Sequence, residues 1–337
     1  MLDIENRESL INYLFDKKVI TEKEPYTLNY CTGGVSCIAA LIETAGKTML
    51  VKQGRPKLAV KEEWLADPAR MAIEAKANEV YNRYVPESVP AVLFYDPENY
   101  ILLRNAAPPD CTMWKTDLLN GILDFEVAKK TILALVTVHN KCFKDAEIQK
   151  AFADDTIFYQ LRISPYIEFV LGKYPELKET GQKLIKRLKE QKLSLVHADY
   201  SPKNILVLKN RDICILDYEI SHYGDPVFDV AFFTNHIVLK SAHLRKWSAA
   251  FLNMLLYMTD TYFNMMNYGD PKQTEADAVA ILAMMMIARI DGKSPVEYIT
   301  SETTKQLVRD MAKKLLSEDI KSFKDAATLF YESERTA

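Results

Sequence analysis

The chain lacks an apolar run approaching the ~20 residues needed to span a bilayer. Its greasiest segment, Met284-Met285-Met286-Ile287, is short and flanked by Ala288-Arg289. It also lacks a basic field: 43 Lys and Arg stand against 46 Asp and Glu, a net charge of -3, which argues against a general nucleic-acid binder. The five cysteines (Cys31, Cys37, Cys111, Cys142, Cys214) are odd in number and show no CxxC spacing. Free thiols in a reducing compartment are therefore expected, rather than disulfides or zinc. The N-terminus has no basic-then-apolar leader pattern, so cytoplasm is the expected location. There is no internal repeat, no low-complexity linker and no full G-x-G-x-x-G. What remains is 337 residues, 48% hydrophobic and 26% charged. That is the composition of a globular protein, and the length suggests two domains.

The densest chemistry lies at 197–219, which reads His-Ala-Asp-Tyr-Ser-Pro-Lys-Asn, an apolar run, then Leu-Asp-Tyr-Glu. Two short β-type segments, 206–208 and 213–216, flank a turn at 209–212, and such a hairpin brings its ends together. Asp199 and Asn204 are thus expected on one side of a small site, with Asp217 facing them. Three converging oxygen-bearing side chains suit a hard cation such as Mg²⁺. The spacing His-x-Asp-x-x-x-x-Asn with a later Asp is similar to the kinase signature. There, one Asp orients the attacking hydroxyl while the Asn and the later Asp hold metal.

The first third of the chain is β-rich. Strands are predicted over 26–30, 36–44, 47–52, 91–95 and 100–104, with turns at Gly33-Gly34, Ala45-Gly46 and 96–99. Asp67-Pro68 opens a helix to about Tyr84, with Asp as N-cap and Pro at the first helical position. Beyond Arg104, residues 105–110 form a connector. Apolar periodicity then predicts helices over 125–142, 165–172, 178–191, 227–240, 244–266, 274–290 and 303–316.

A five-stranded antiparallel lobe with one helix, then a mainly helical lobe carrying this motif, resembles the α+β, bilobal protein-kinase-like fold. Its expected lobes are 1–104, binding nucleotide, and 105–337, carrying the catalytic loop and substrate pocket. Ala198 in place of Arg, and Asp217-Tyr218-Glu219 in place of Asp-Phe-Gly, resemble the aminoglycoside phosphotransferase and choline kinase superfamily. So do the stretches 197–206 and 215–231. Val51-Lys52-Gln53, Glu62-Glu63-Trp64 with Asp67-Pro68, and the Asp-x-Glu form of the metal motif also resemble methylthioribose kinases. The resemblance implies an ATP- and Mg²⁺-dependent transfer of the γ-phosphoryl group to a hydroxyl of a small, sugar-like or amino-alcohol molecule, by a monomer or homodimer.

Each candidate residue has a chemical role and a plainer alternative. Asp199 is the expected catalytic base, against a loop Asp capping backbone. Asn204 and Asp217 are expected metal ligands, and Glu219 either adds a metal contact or is a solvated side chain. His197 and Asp229 are expected to support the loop, Asp229 by hydrogen-bonding backbone. Whether Lys203 compensates for Ser201, which stands where protein kinases carry a lysine, is open. Lys52 ends an apolar strand, as a phosphate clamp requires. Met71, Glu74, Asn78 and Tyr81 share one helical stripe, so Glu74 is expected to pair with Lys52, with Glu79, off the stripe, as the runner-up. Gly33, Gly34 and Ser36 form either a phosphate-covering turn, where glycine lets backbone N–H groups approach, or an ordinary hairpin turn. Adenine is expected to read backbone from Leu103 to Asn105. Arg289 and Asp291, brought to one loop, are offered as acceptor contacts; helix-end and turn roles are the alternative.

Two rival readings remain. A protein kinase is disfavoured by Ala198, by the missing Asp-Phe-Gly, and by the six residues between Glu219 and Pro226, too few for an activation segment. A non-catalytic nucleotide-binding module is disfavoured by the intact set Lys52, Asp199, Asn204 and Asp217.

Overall fold

The computed structural model describes residues 2–31, 37–56, 67–318 and 320–336. The chain divides into two compact units, Met1–Cys111 with Cys214–Ile220, and Thr112–Ile213 with Ser221–Ala337.

The first unit is built on an antiparallel sheet of β1 (Tyr26–Tyr30), β2 (Cys37–Thr44), β3 (Thr48–Gly54), β4 (Val92–Asp96) and β5 (Ile101–Asn105), in the order β1-β2-β3-β5-β4. Alternation gives the sheet two apolar faces. Leu28, Ala40, Ile42, Met49, Val51, Ile101 and Leu103 pack against helix α1 (Arg7–Asp16) through Leu10, Tyr13 and Leu14. On the other face Cys37 and Leu102 pack against Met71 and Ala75 of helix α2 (Arg70–Tyr84). The β4–β5 turn is closed by Asp96, whose Oδ1 accepts from the N–H groups of Glu98 and Asn99 at 3.0 and 3.3 Å.

The expectation of a single helix in this lobe is corrected. Asn6 caps α1 by accepting from Ser9 N–H at 3.0 Å, and Leu10, Tyr13 and Leu14 form an i, i+3, i+4 stripe. Those three apolar positions in ten residues are enough because the sheet supplies the rest of the core. At α2 the helix begins two residues later than expected. Asp67 Oδ1 accepts from Ala69 N–H at 2.8 Å and its C=O from Arg70 N–H at 3.1 Å, so Asp67-Pro68 forms the turn that leads in.

The second unit is mainly helical. The helices Phe125–Cys142, Lys178–Glu190, Val227–His243, Ser248–Met265, Pro271–Asp291 and Glu302–Ser317 lie where periodicity predicted them. The helix expected over 165–172 differs. The chain winds as a π-helix over Tyr159–Glu168 before continuing as α-helix over Phe169–Lys173. Pro165 has no N–H for an i→i−4 bond, and a wider turn accommodates that loss. A terminal helix, Phe323–Thr336, was not expected, although Phe323, Ala326, Ala327 and Phe330 repeat at helical spacing and are buried. Two short strands, Ser194–Val196 and His222–Gly224, pair antiparallel with Val196 opposite His222. The turn after Ile205–Val207 is closed by Leu208 N–H donating to Asp212 C=O at 2.8 Å.

Because Leu14 is fully buried under the sheet, Leu14→Ala is expected to cost about 2–5 kcal/mol in urea unfolding followed by circular dichroism. A loss well under ~1 kcal/mol would remove α1 from the core of this unit.

Candidate active site

In the first unit, β3 turns Val51 toward α1 and Lys52 toward α2, because neighbouring side chains alternate. Met71, Glu74, Asn78 and Tyr81 form the buried stripe of α2, and Glu79 is exposed. Lys52 Nζ therefore meets Glu74 Oε2 at 2.7 Å, and it also meets Asp217 Oδ1 at 2.6 Å. Burial opposes the ammonium charge, yet the Asp217 carboxylate, with Cys37, Glu74 and Glu219 around it, holds the Lys52 pKa well above its ordinary value. Asp217 has φ of 70°, the left-handed region that non-glycine residues seldom adopt. Its neighbour Tyr218 is fixed by a bond to Ile215 C=O at 3.0 Å and by ring contact with Tyr81 at 4.9 Å.

Glu219 is not solvated. It is buried, and its Oε2 accepts from Arg70 Nε at 2.9 Å and from the Cys37 thiol at 3.3 Å. Carboxylate oxygens of Glu74, Asp217 and Glu219 lie within 4.8 Å of one another. The three carboxylates share two bound cations, Lys52 and Arg70. An all-oxygen donor set fits a hard cation such as Mg²⁺.

In the second unit, the paired strands Ser194–Val196 and His222–Gly224 hold the loop that carries Asp199. Ala198 has φ of 62°, and the conformation is fixed from both sides. Asp229, fully buried, accepts from His197 N–H at 2.7 Å through Oδ2 and from Ala198 N–H at 2.8 Å through Oδ1. On the other side Arg162 Nε donates to Ala198 C=O at 2.6 Å. His139 Nε2 lies 3.2 Å from Asp229 Oδ2, and its Nδ1 is 2.7 Å from the Tyr262 hydroxyl. A carboxylate only accepts, so Nε2 carries the proton and Nδ1 accepts. His197 is buried, and its Nδ1 accepts from Asp199 N–H at 3.2 Å.

The Asp199 carboxylate is held by three donors. Arg162 Nη2 meets Oδ1 at 2.6 Å, while Lys203 Nζ and Asn204 Nδ2 meet Oδ2 at 3.1 and 2.8 Å. Lys203 thus reaches the residue for which its role was open. Asn204 Nδ2 also donates to Asp199 C=O at 3.0 Å, which leaves its carbonyl oxygen as the atom suited to a cation. Arg162, Asp229's partner His139, and Arg70 were not anticipated. Arg162 sits on the π-helix and lies over the rings of Tyr166 and Phe232 at 5.6 and 5.0 Å.

Other expected positions fare differently. Gly33, Gly34, Ser36 and the Glu62-Glu63-Trp64 stretch lie outside the described residues. Leu103 lies on an interior strand, β5, paired to both Val51 and Phe94. Asn105 N–H donates to Ala91 C=O at 2.9 Å, and Ala106 N–H to Thr48 C=O at 3.0 Å. Arg289 and Asp291 occupy the last turn of a helix, not a shared loop. Asp291 is paired with Arg309, at 2.8 and 2.9 Å, and with the Tyr174 hydroxyl at 2.7 Å. All five cysteines are free thiols.

Residues 158–262 match the family model described as the phosphotransferase enzyme family. The fold is kinase-like. An ethanolamine kinase of Plasmodium vivax superposes over 98% of this chain and 89% of its own, at 12% identity and a TM-score of 0.56. Spectinomycin phosphotransferase, solved with ADP and spectinomycin, covers 96% of this chain and 93% of its own, at 14% identity and a TM-score of 0.51. In sequence, the methylthioribose kinase of Pectobacterium carotovorum subsp. carotovorum (strain PC1) is 24% identical over 227 residues, 58% of this chain and 55% of that protein. The chain thus spans a little over half the length of that curated relative. The superfamily resemblance drawn from the motifs holds, and no helix among the described residues is long and apolar enough to cross a membrane.

Asp229→Ala strips two buried N–H groups and His139 of their acceptor. It is expected to destabilise the protein by about 3 kcal/mol or more in thermal or urea unfolding, with Asp229→Asn costing less because one oxygen remains. A loss below ~1 kcal/mol for the alanine variant would show that Asp229 does not hold the loop.

Proposed function

We propose that this protein is an ATP- and Mg²⁺-dependent phosphotransferase acting on a hydroxyl of a small molecule. The observation that carries the reading is the Asp199 carboxylate, held by Arg162, Lys203 and Asn204 within the segment that matches the phosphotransferase family. The ADP bound to a structural neighbour supports nucleotide use.

On this reading Asp199 aligns the acceptor hydroxyl and takes its proton as the oxygen bonds to the γ-phosphorus, while the bond to the β-phosphate oxygen breaks and ADP leaves. Lys52, steadied by Glu74, takes the α- and β-phosphates. Arg162 and Lys203, paired with Asp199, hold its carboxylate in place. Asp217 and Glu219 would hold Mg²⁺, which supplies charge neutralisation at the phosphates, and Asn204 would offer its carbonyl oxygen to a cation. Most of the rate enhancement then comes from positioning and charge.

Asp199→Asn is expected to lower kcat by about 10²–10⁴-fold in a coupled ADP-release assay over an acceptor panel, with nucleotide affinity little changed. Lys52→Met is expected to weaken nucleotide binding, read by calorimetry, and EDTA to abolish turnover. Wild-type turnover in Asp199→Asn would refute the assignment. ATP binding without acceptor-dependent ADP release would identify a non-catalytic module instead.

A further inference from the structure

The second unit gathers more positive charge near Asp199 than that carboxylate neutralises. Arg162 and Lys203 are both spent on Asp199. Behind them stand Arg289 and Lys240, and among the described residues neither forms an ion pair. Arg289 Nη1 donates only to neutral oxygens, those of Ser294 and the Tyr166 hydroxyl at 3.2 Å. Its Nε is buried with no hydrogen-bond partner. Lys240 is fully buried on the helix Val227–His243. Its Nζ donates to His236 C=O at 3.2 Å, one turn back, and lies over the Tyr298 ring at 5.3 Å. The Tyr298 hydroxyl is likewise buried and without a partner.

These groups form one connected cluster. Tyr166 lies between Arg162 and Arg289, at 5.6 and 5.8 Å from its ring. Phe232 carries Arg162 on its ring at 5.0 Å and meets His236 at 5.3 Å. The titrations agree in sign. Burial alone would raise the Tyr166 hydroxyl, yet Arg289 and Arg162 bring it below its ordinary value. Burial, reinforced by Lys115 and Arg289 and opposed by Glu297, brings Lys240 down to about 7. Burial and the surrounding cations also push His236 well down. A buried donor without an acceptor, and a buried cation without a counter-charge, are each costly. An anion supplied from solution satisfies both.

We infer that the acceptor is an anionic alcohol: its hydroxyl is aligned by Asp199, and its carboxylate or phosphate group is received at Arg289, with Lys240 behind it supplying charge. This rests on the phosphotransferase reading and narrows it, since a cationic amino-alcohol or aminoglycoside would meet like charge.

The test uses matched acceptors that differ only in charge: glycerol, glycerate and glycerol 3-phosphate; ribose, ribonate and ribose 5-phosphate; and choline and kanamycin as cations. Acceptor-dependent ADP release is expected to favour the anionic members, and the carboxylate and phosphate arms identify which anion is used. Arg289→Met is expected to raise KM for the preferred anion by about 10- to 100-fold, the worth of a charged hydrogen bond, with KM for the neutral analogue unchanged. Lys240→Met is expected to raise the same KM while raising the melting temperature, because it removes a buried charge that has no partner. It therefore guards against a folding artefact at Arg289. Equal or better use of neutral or cationic acceptors would overturn the inference and leave the transferase reading intact. If no acceptor is turned over, calorimetry of glycerate and glycerol 3-phosphate on Mg-ADP-saturated protein decides. Binding lost in Arg289→Met would uphold the anion site while the transferase reading fails. Binding no better than that of glycerol, or unchanged in the variant, would overturn the site.

Discussion

The second unit depends on one buried carboxylate. Asp229 accepts from two consecutive backbone N–H groups, those of His197 and Ala198, and so fixes a residue at φ of 62° directly before Asp199. A non-glycine residue there costs on the order of 1–3 kcal/mol. Hydrogen bonds to a charged acceptor contribute about 1.5–3 kcal/mol each, so two of them offset the strain with a margin. Arg162 adds a third hold through Ala198 C=O. The orientation of Asp199 is thus set by the loop's backbone, and the three donors on its carboxylate then fix the side chain.

The first unit solves a similar problem by ion pairing. Lys52 would be costly to bury alone, since desolvation disfavours its charge; Glu74 and Asp217, at 2.7 and 2.6 Å, reverse that sign. Asp217 in turn adopts a left-handed backbone, held beside Tyr218 on the Tyr81 ring. Arg70 does for Glu219 what Lys52 does for Asp217. The result is a cluster of carboxylates held by two cations.

Much of this was legible because it depends on short periods. Alternation along β3 and the 3.6-residue stripe of α2 were enough to prefer Glu74 over Glu79 as the partner of Lys52. The spacing from His197 to Asn204 placed two of the loop's polar side chains in contact. Partners set by long-range packing were not legible: His139 and Asp229 are 90 residues apart, and no local pattern marks His139 within its apolar helix. Arg162 escaped notice because Pro165 suggested a helix start, whereas the chain was already winding as a π-helix. A strand's own residues do not reveal that it lies in the interior of its sheet, with both edges occupied.

Net charge was a poor guide for a related reason. The whole chain is slightly acidic, at -3, yet the surroundings of Tyr166 are basic enough to lower a buried phenol. Surface carboxylates are screened within about 10 Å at ordinary ionic strength, whereas buried Lys240 and Arg162 act through a medium that screens far less. A few interior cations therefore outweigh a larger number of exposed anions at the point where a ligand would sit. The field around Tyr166 follows from which charges are buried, and that cannot be obtained by counting residues along the sequence.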